Sequence, residues 1–401
     1  MTDSLATAQV AWPMITVGAF LLLGYAAHVF GRRAHVPRVT LLLLVGVALS
    51  PNALGVIPEG VAEWFPLASE VALSMVGFML GERFLAKRIR EIGKLVIVVS
   101  VAESVCAALA VLVGLLIVGV PIEMALILAG IAPASAPAAT VDVVREAGAS
   151  GPLTDCVLSV VAIDDVYGIL LFSLLLAASQ ALPGDSFSWQ ILMQASWEIV
   201  GAIGLGALIG IPMAWVSGRA RPGELTLVET LGFVLLCGGI ATFLDVSYLM
   251  ASITLGAFVA NRAKHHERPF HAIEGISQPF LVVFFLLAGF EFDASQFTSF
   301  GLAGITYVFA RSIGKLGGGY LGGWLAGAPA EVRRYVGWCL LPQAGVALGL
   351  GLLAAQRSPH NGAAILSLVV GTTFLFEILG PIATRIALRS AGEIPPVSEE
   401  G

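Results

Sequence analysis

The sequence predicts an all-α polytopic membrane protein with about thirteen transmembrane helices, and three observations carry that reading. The 401 residues are 57% hydrophobic and only 12% charged, with a mean hydropathy of +0.91, whereas a water-soluble domain carries about 25% charge. Apolar stretches recur at roughly the 20-residue length that a helix needs to cross the hydrocarbon of a bilayer. Basic residues fall in every second connection, as they do in proteins that thread a membrane many times.

In chain order the spans run over 10–31, 38–57, 62–82, 94–120, 122–146, 153–179 and 189–217. The remainder run over 225–244, 247–262, 273–291, 297–326, 332–355 and 363–388. The start, "MTDSLATAQV", has no basic n-region and predicts no cleaved signal. The end, "SAGEIPPVSEEG", is short and polar, which predicts a disordered tail over 390–401 and no attached regulatory domain. Cys106, Cys156, Cys237 and Cys339 lie in apolar segments without paired spacing and read as small buried side chains. The 46 glycines suit helices packed closely in lipid.

The connections orient the chain. One side carries Arg32, Arg33 and Arg38, then Arg83, Lys87, Arg88, Arg90 and Lys94, then Arg145, Arg219 and Arg221. The same side continues with Arg262, Lys264, Arg268, Arg333, Arg334, Arg385 and Arg389, while the other side has only Arg357. The positive-inside rule then puts the N-terminus outside and the C-terminus in the cytoplasm. An odd number of spans is required for that, and thirteen satisfies it. The segment "NRAKHHERPFH" (261–271) contains three histidines but matches no metal spacing, and a basic cytoplasmic loop accounts for it.

Two spans are interrupted. "APASAPAAT" (132–140) places Pro133 and Pro137 in the fifth span, and "LLPQAGVALGLG" (340–351) places Pro342, Gln343 and Gly345 in the twelfth. Proline lacks the N–H that continues a helix and clashes with the carbonyl four residues back, which frees the oxygens of Ala129 and Pro133. Either site could be a simple kink. The interrupted spans, however, are seven apart, an odd offset that makes corresponding helices run in opposite directions. That predicts two inverted-topology six-helix repeats joined by a linker helix, with two crossed discontinuous helices at the ion site.

The same offset gathers the intramembrane charges. "VAIDDVYGILLF" (161–172) puts Asp164 and Asp165 in the sixth span, matched by Glu377 in the thirteenth. Glu103 in the fourth span is matched by Arg311 and Lys315 in the eleventh. A mid-membrane Asp costs about 2.5–3.5 kcal/mol on insertion scales, so such residues are functional by default.

At these residues the chain resembles the monovalent cation:proton antiporter superfamily, specifically bacterial sodium/proton exchangers of the electrogenic Asp–Asp type. The resemblance covers nearly the whole chain and is carried by "ASAPAATVDVVREAGASGPLTDCVLSVVAIDDVYGILLF", "FFLLAGFEFD", "ARSIGKLGGGYLGGWLAG" and "LLPQAGVALGL". It implies core ion-transport helices at about 94–179 and 297–388, and dimerisation or scaffold helices at about 10–82 and 189–291. It also implies a homodimer and exchange of Na+, Li+ or K+ for protons by an elevator-like movement. Lys315 stands where the family's salt-bridging lysine is expected. One departure is clear: many relatives carry Thr–Asp–Pro in the first broken helix, and here those positions are Ser135, Ala136 and Pro137. The role of the family aspartate therefore does not transfer to Ala136.

These readings assign Asp165 as the carboxylate that holds a cation or a proton in competition. Asp164, about 100° around the helix, is expected to pair with Lys315. Arg311, one turn before Lys315, is expected to pair with Glu377 or Glu103 as a structural bridge. Ser135 and Thr140 offer hydroxyl oxygens as further ligands for a hard cation, with Gln343 as an additional candidate. The chain is thus expected to be a transporter and not an enzyme, with no cofactor beyond transported ions and no nucleic-acid partner. Its expected setting is lipid in a bacterial-type inner (plasma) membrane. A sodium-coupled symporter of an organic solute is the alternative, since such proteins also cross broken helices in inverted repeats. Intramembrane aspartyl proteolysis is disfavoured, because its two aspartates must meet from different helices.

Overall fold

The computed structural model describes residues 2–34, 38–50, 53–54, 64–85, 93–181, 189–217, 226–263, 267–290, 301–358 and 361–395. Among these residues there are fifteen α-helices and no strand. The first seven are α1 (Thr2–Ala34), α2 (Arg38–Leu49), α3 (Phe65–Gly81), α4 (Lys94–Ile117), α5 (Ile122–Ile131), α6 (Pro137–Ala147) and α7 (Pro152–Ala181). Then come α8 (Trp189–Ser217), α9 (Thr226–Phe243), α10 (Tyr248–Arg262) and α11 (Glu267–Phe290). The last four are α12 (Gly301–Leu325), α13 (Ala330–Cys339), α14 (Gly345–Arg357) and α15 (Gly362–Ser390). Among the described residues, seven helices are long and apolar enough to cross a membrane.

The chain divides into two compact units, residues 1–85 with 196–293 and residues 86–195 with 294–401. The first unit is built by backbone-to-backbone crossings. A methyl group at Gly46 of α2 would strike Leu286 O of α11, and one at Gly289 of α11 would strike Leu43 O of α2. Gly81 and Gly256 serve the α3–α10 crossing in the same way. Lipid tails are as apolar as leucine, so close contact of this kind is what associates helices in a bilayer. Phe78 stacks on Phe270 with 4.6 Å between ring centroids, fixing α3 against α11.

The second unit shows its inverted repeat in its apolar core. One cluster joins Val96 and Val99 at the start of α4, Leu153 and Val157 at the start of α7, and Val332 and Val336 of α13. It also takes Val144 near the end of α6, Ala328 just beyond α12, and Ala387 and Leu388 near the end of α15. Two helices therefore begin where their repeat partners finish, α4 against α12 and α7 against α15, and the first half of the twelfth span, α13, meets the end of the fifth, α6.

Both interrupted spans are broken and not merely kinked, with five non-helical residues each, 132–136 and 340–344. Pro133 lies inside the first gap, while Pro137 opens α6, where its missing N–H would have had no partner in any case. Pro342 lies inside the second gap and Gly345 opens α14. The Ala136 N–H donates to Pro342 O at 2.9 Å, so the two gaps touch.

The polar tail is not disordered at its start. The Glu393 carboxylate accepts from Leu153 N, Thr154 N and Thr154 Oγ1, each at 2.7 Å. The first N–H groups of α7 have no intrahelical partner, and a carboxylate at a helix N-terminus satisfies them. That corrects the expectation for residues 391–395, while 396–401 lie outside the described residues.

Candidate functional site

Packing of α4 on α12 creates the site. Gly314, Gly318 and Gly322 recur every four residues along one face of α12. A methyl group at each would meet the main chain of Ala107, Glu103 and Val99 of α4, respectively. The reversed order shows that the helices run antiparallel. Their close approach brings Glu103 beside Lys315, the residue three before Gly318.

Lys315 is fully buried and its ammonium is surrounded by oxygen. Nζ lies 2.6 Å from Glu103 Oε2 and 3.2 Å from Asp164 Oδ2, with both carboxylates also at 0% exposure. It donates to Ser135 Oγ at 2.9 Å and to Pro133 O, one of the two oxygens that the broken helix was expected to free. Serine hydroxyls serve both carboxylates: Ser104 Oγ lies 2.9 Å from Glu103 Oε1 and 3.5 Å from Asp164 Oδ1, and Ser135 Oγ donates to Asp164 Oδ2. Asp165, on the next position of α7, is buried at 1% exposure.

Arg311, one turn before Lys315 in the middle of α12, is bonded differently. Nε donates to Ala132 O at 2.9 Å, Nη2 to Ala134 O at 2.9 Å and Nη1 to Leu341 O at 2.8 Å. Its guanidinium lies 4.3 Å from the centroid of the Phe376 ring. The C-terminal ends of α5 and α13 carry unsatisfied carbonyls and partial negative charge, which a cation complements. One side chain thus ties down carbonyls from both gaps.

The expected residues divide accordingly. Asp164 and Lys315 lie together as expected, and Ser135, expected as a cation ligand, is bonded to both of them. Glu103 also joins them, and so is committed to Lys315 and not to Arg311. Glu377 is buried at 2% exposure. Thr140 Oγ1 of α6 donates to Cys339 O at the end of α13 at 3.2 Å, a second link between the two broken spans. Gln343 donates through Nε2 to Tyr307 OH at 3.2 Å. The Glu103–Lys315 contact, Ser104 and Tyr307 were missed from sequence; the four-residue glycine spacing of α12 was the available signal for the first. Of the histidine-rich segment, His265 and His266 lie outside the described residues.

The chain is similar to known proteins in fold and in sequence. A solved sodium proton antiporter, MjNhaP1 from Methanocaldococcus jannaschii, superposes with a TM-score of 0.73 at 18% identity, covering 95% of this chain and 99% of that one. The ammonium/H+ antiporter subunit AmhT of Alkalihalophilus pseudofirmus is 24% identical over 379 residues, 93% of this chain and 94% of its own. The high-affinity Na+/H+ antiporter NhaS3 of Synechocystis is 24% identical over 348 residues, covering 83% and 74%. The symporter alternative finds no support among them. The sequence model described as "Sodium/hydrogen exchanger, transmembrane" matches residues 5–390, and the chain belongs to that family.

Proposed function

We propose that in this cation/proton antiporter Asp165 holds the transported cation, Na+, or a proton in competition, and that Asp164 with Lys315 supplies the second exchangeable charge. The observation that carries the reading is the imbalance of buried charge in the second unit. Among the described residues of the second unit, the buried acids Glu103, Asp164, Asp165, Glu377 and Glu393 outnumber the buried bases Arg311 and Lys315, with Glu393 held at the start of α7. An excess of buried acids over bases in a low-dielectric interior is costly. Protons entering from one side offset that excess, and a cation entering from the other offsets it in part. Exchange of two protons for one monovalent cation moves net charge, which makes transport electrogenic. Ser135 and Thr140 add hydroxyl oxygens beside the gaps, the hard ligands that such a cation takes.

The second unit is then the ion-transport core and the first the scaffold through which two copies pair as a homodimer. Basic connections on one side support a C-terminus in the cytoplasm and an N-terminus outside, in a bacterial-type inner membrane. The test is reconstitution in liposomes with an imposed pH gradient and a pH dye, adding Na+, Li+, K+ and NH4+ in turn. Na+ should collapse the gradient and Asp165→Asn should abolish the response. An undiminished response in Asp165→Asn would remove Asp165 from the site, and a response to another cation alone would reassign the cargo.

A further inference from the structure

Lys315 and the cargo are rivals for the same oxygen. Asp164 Oδ2 already faces the ammonium at 3.2 Å, so a cation that comes to Asp164 must displace it. The displaced ammonium stays in a fully buried site, where a charge stripped of its partner is far costlier than the intact pair. It needs a second counter-charge within reach. Arg311, one turn away on α12, has the wrong sign, and Pro133 O and Ser135 Oγ on the broken helix are neutral.

Glu103 meets the need. Its Oε2 is 2.6 Å from the same Nζ, nearer than Asp164. Ser104 Oγ lies nearer to Glu103 Oε1, at 2.9 Å, than to Asp164 Oδ1, at 3.5 Å, and holds the Glu103 carboxylate, while Ser135 Oγ stays with Asp164. Contact with Gly318 holds the Glu103 main chain against α12, so the carboxylate stays put as the ammonium shifts.

We infer that Glu103 is a standing counter-ion that receives Lys315 whenever Asp164 turns to the transported cation, and that it thereby sets the affinity for that cation. This rests on the reading that the cargo visits the Asp164–Asp165 pair. Glu103 touches no cargo; it is a positioning residue that acts through Lys315.

The test measures the initial rate of gradient collapse in proteoliposomes against Na+ concentration. Glu103→Gln keeps the size and removes the charge. Its KM should rise at least about tenfold while kcat stays within about threefold, because the lysine then competes with the cargo for Asp164 with nowhere else to go. Glu103→Asp should recover most of the affinity. An unchanged KM in Glu103→Gln overturns the inference, as does an equal loss in both variants, which would mark Glu103 as packing alone. Should Glu103→Gln fail to fold, the double variant Glu103→Gln/Lys315→Gln decides. Its melting temperature recovers if Glu103 serves Lys315, and a double variant no more stable than the single overturns the inference. Asp165→Asn is run alongside. If it transports, the site reading falls; if it is silent while Glu103→Gln matches wild type, only the role of Glu103 falls.

Discussion

The two repeats of the second unit match in backbone and oppose each other in charge. The offset from Ile122 to Ala330 and from Pro137 to Gly345 is 208 residues in both cases, and the same offset carries Glu103 onto Arg311. The first repeat contributes Glu103, Asp164 and Asp165 to the buried interior; the second contributes Arg311, Lys315 and Glu377. Identical repeats would have set like charges against each other at the crossing, which destabilises both. The difference teaches that symmetry here belongs to the scaffold, and chemistry to its violation. The first repeat contributes only acids to this interior, and both of its buried bases come from the second.

The comparison breaks most severely at Arg311. Arg311→Ala leaves three buried carbonyls, two from one gap and one from the other, without their donor, at about 1–3 kcal/mol each. It should lower the melting temperature of the detergent-solubilised protein by more than about 10 °C and abolish transport. A variant that folds and transports normally would show that the gaps hold themselves together. Lys315→Gln comes next, expected to fold but to lose electrogenic transport in a voltage-sensitive liposome assay. Unchanged electrogenic activity would reduce the second repeat's lysine to a structural role.

Smaller effects sharpen the picture. Gly318→Ala pushes a methyl group into the Glu103 main chain and should cost about 1–3 kcal/mol of stability, with slower transport, since it separates the two repeats where they meet most closely. Glu393→Ala should lower the melting temperature by a few degrees, about 1–2 kcal/mol for a lost helix cap, with transport retained. That latch is one-sided: the first repeat's last helix is capped by residues that follow the second repeat's last helix. A melting curve identical to wild type would show the cap to be redundant.

Sequence reading located the helices closely because lipid imposes length and polarity on every span. α8 runs over 189–217 and α10 over Tyr248–Arg262, within a residue of expectation. α11 begins at Glu267, six residues before its expected start, since Glu267 and Pro269 suit a first helical turn that hydropathy does not register. Proline alone did not mark the gaps, for Pro212, Pro279 and Pro381 sit inside continuous helices. What marked them was position, seven spans apart and beside the buried charges. The site was legible as a set of charges but not as a set of partners. Pairing depends on which turn of α4 meets which turn of α12, and only three glycines in register decide that. Glu103 therefore went to Lys315, and the carbonyl acceptors of Arg311 were invisible until the gaps had a shape.

Arg311 has a mechanical consequence. A single guanidinium fastened to Ala132, Ala134 and Leu341 acts as a rivet through both gaps, reinforced by the Ala136–Pro342 hydrogen bond. A load entering at either gap passes to the other before one can open alone. The crossing therefore transmits displacement as a stiff joint, and whatever shifts during exchange carries both broken helices as one piece.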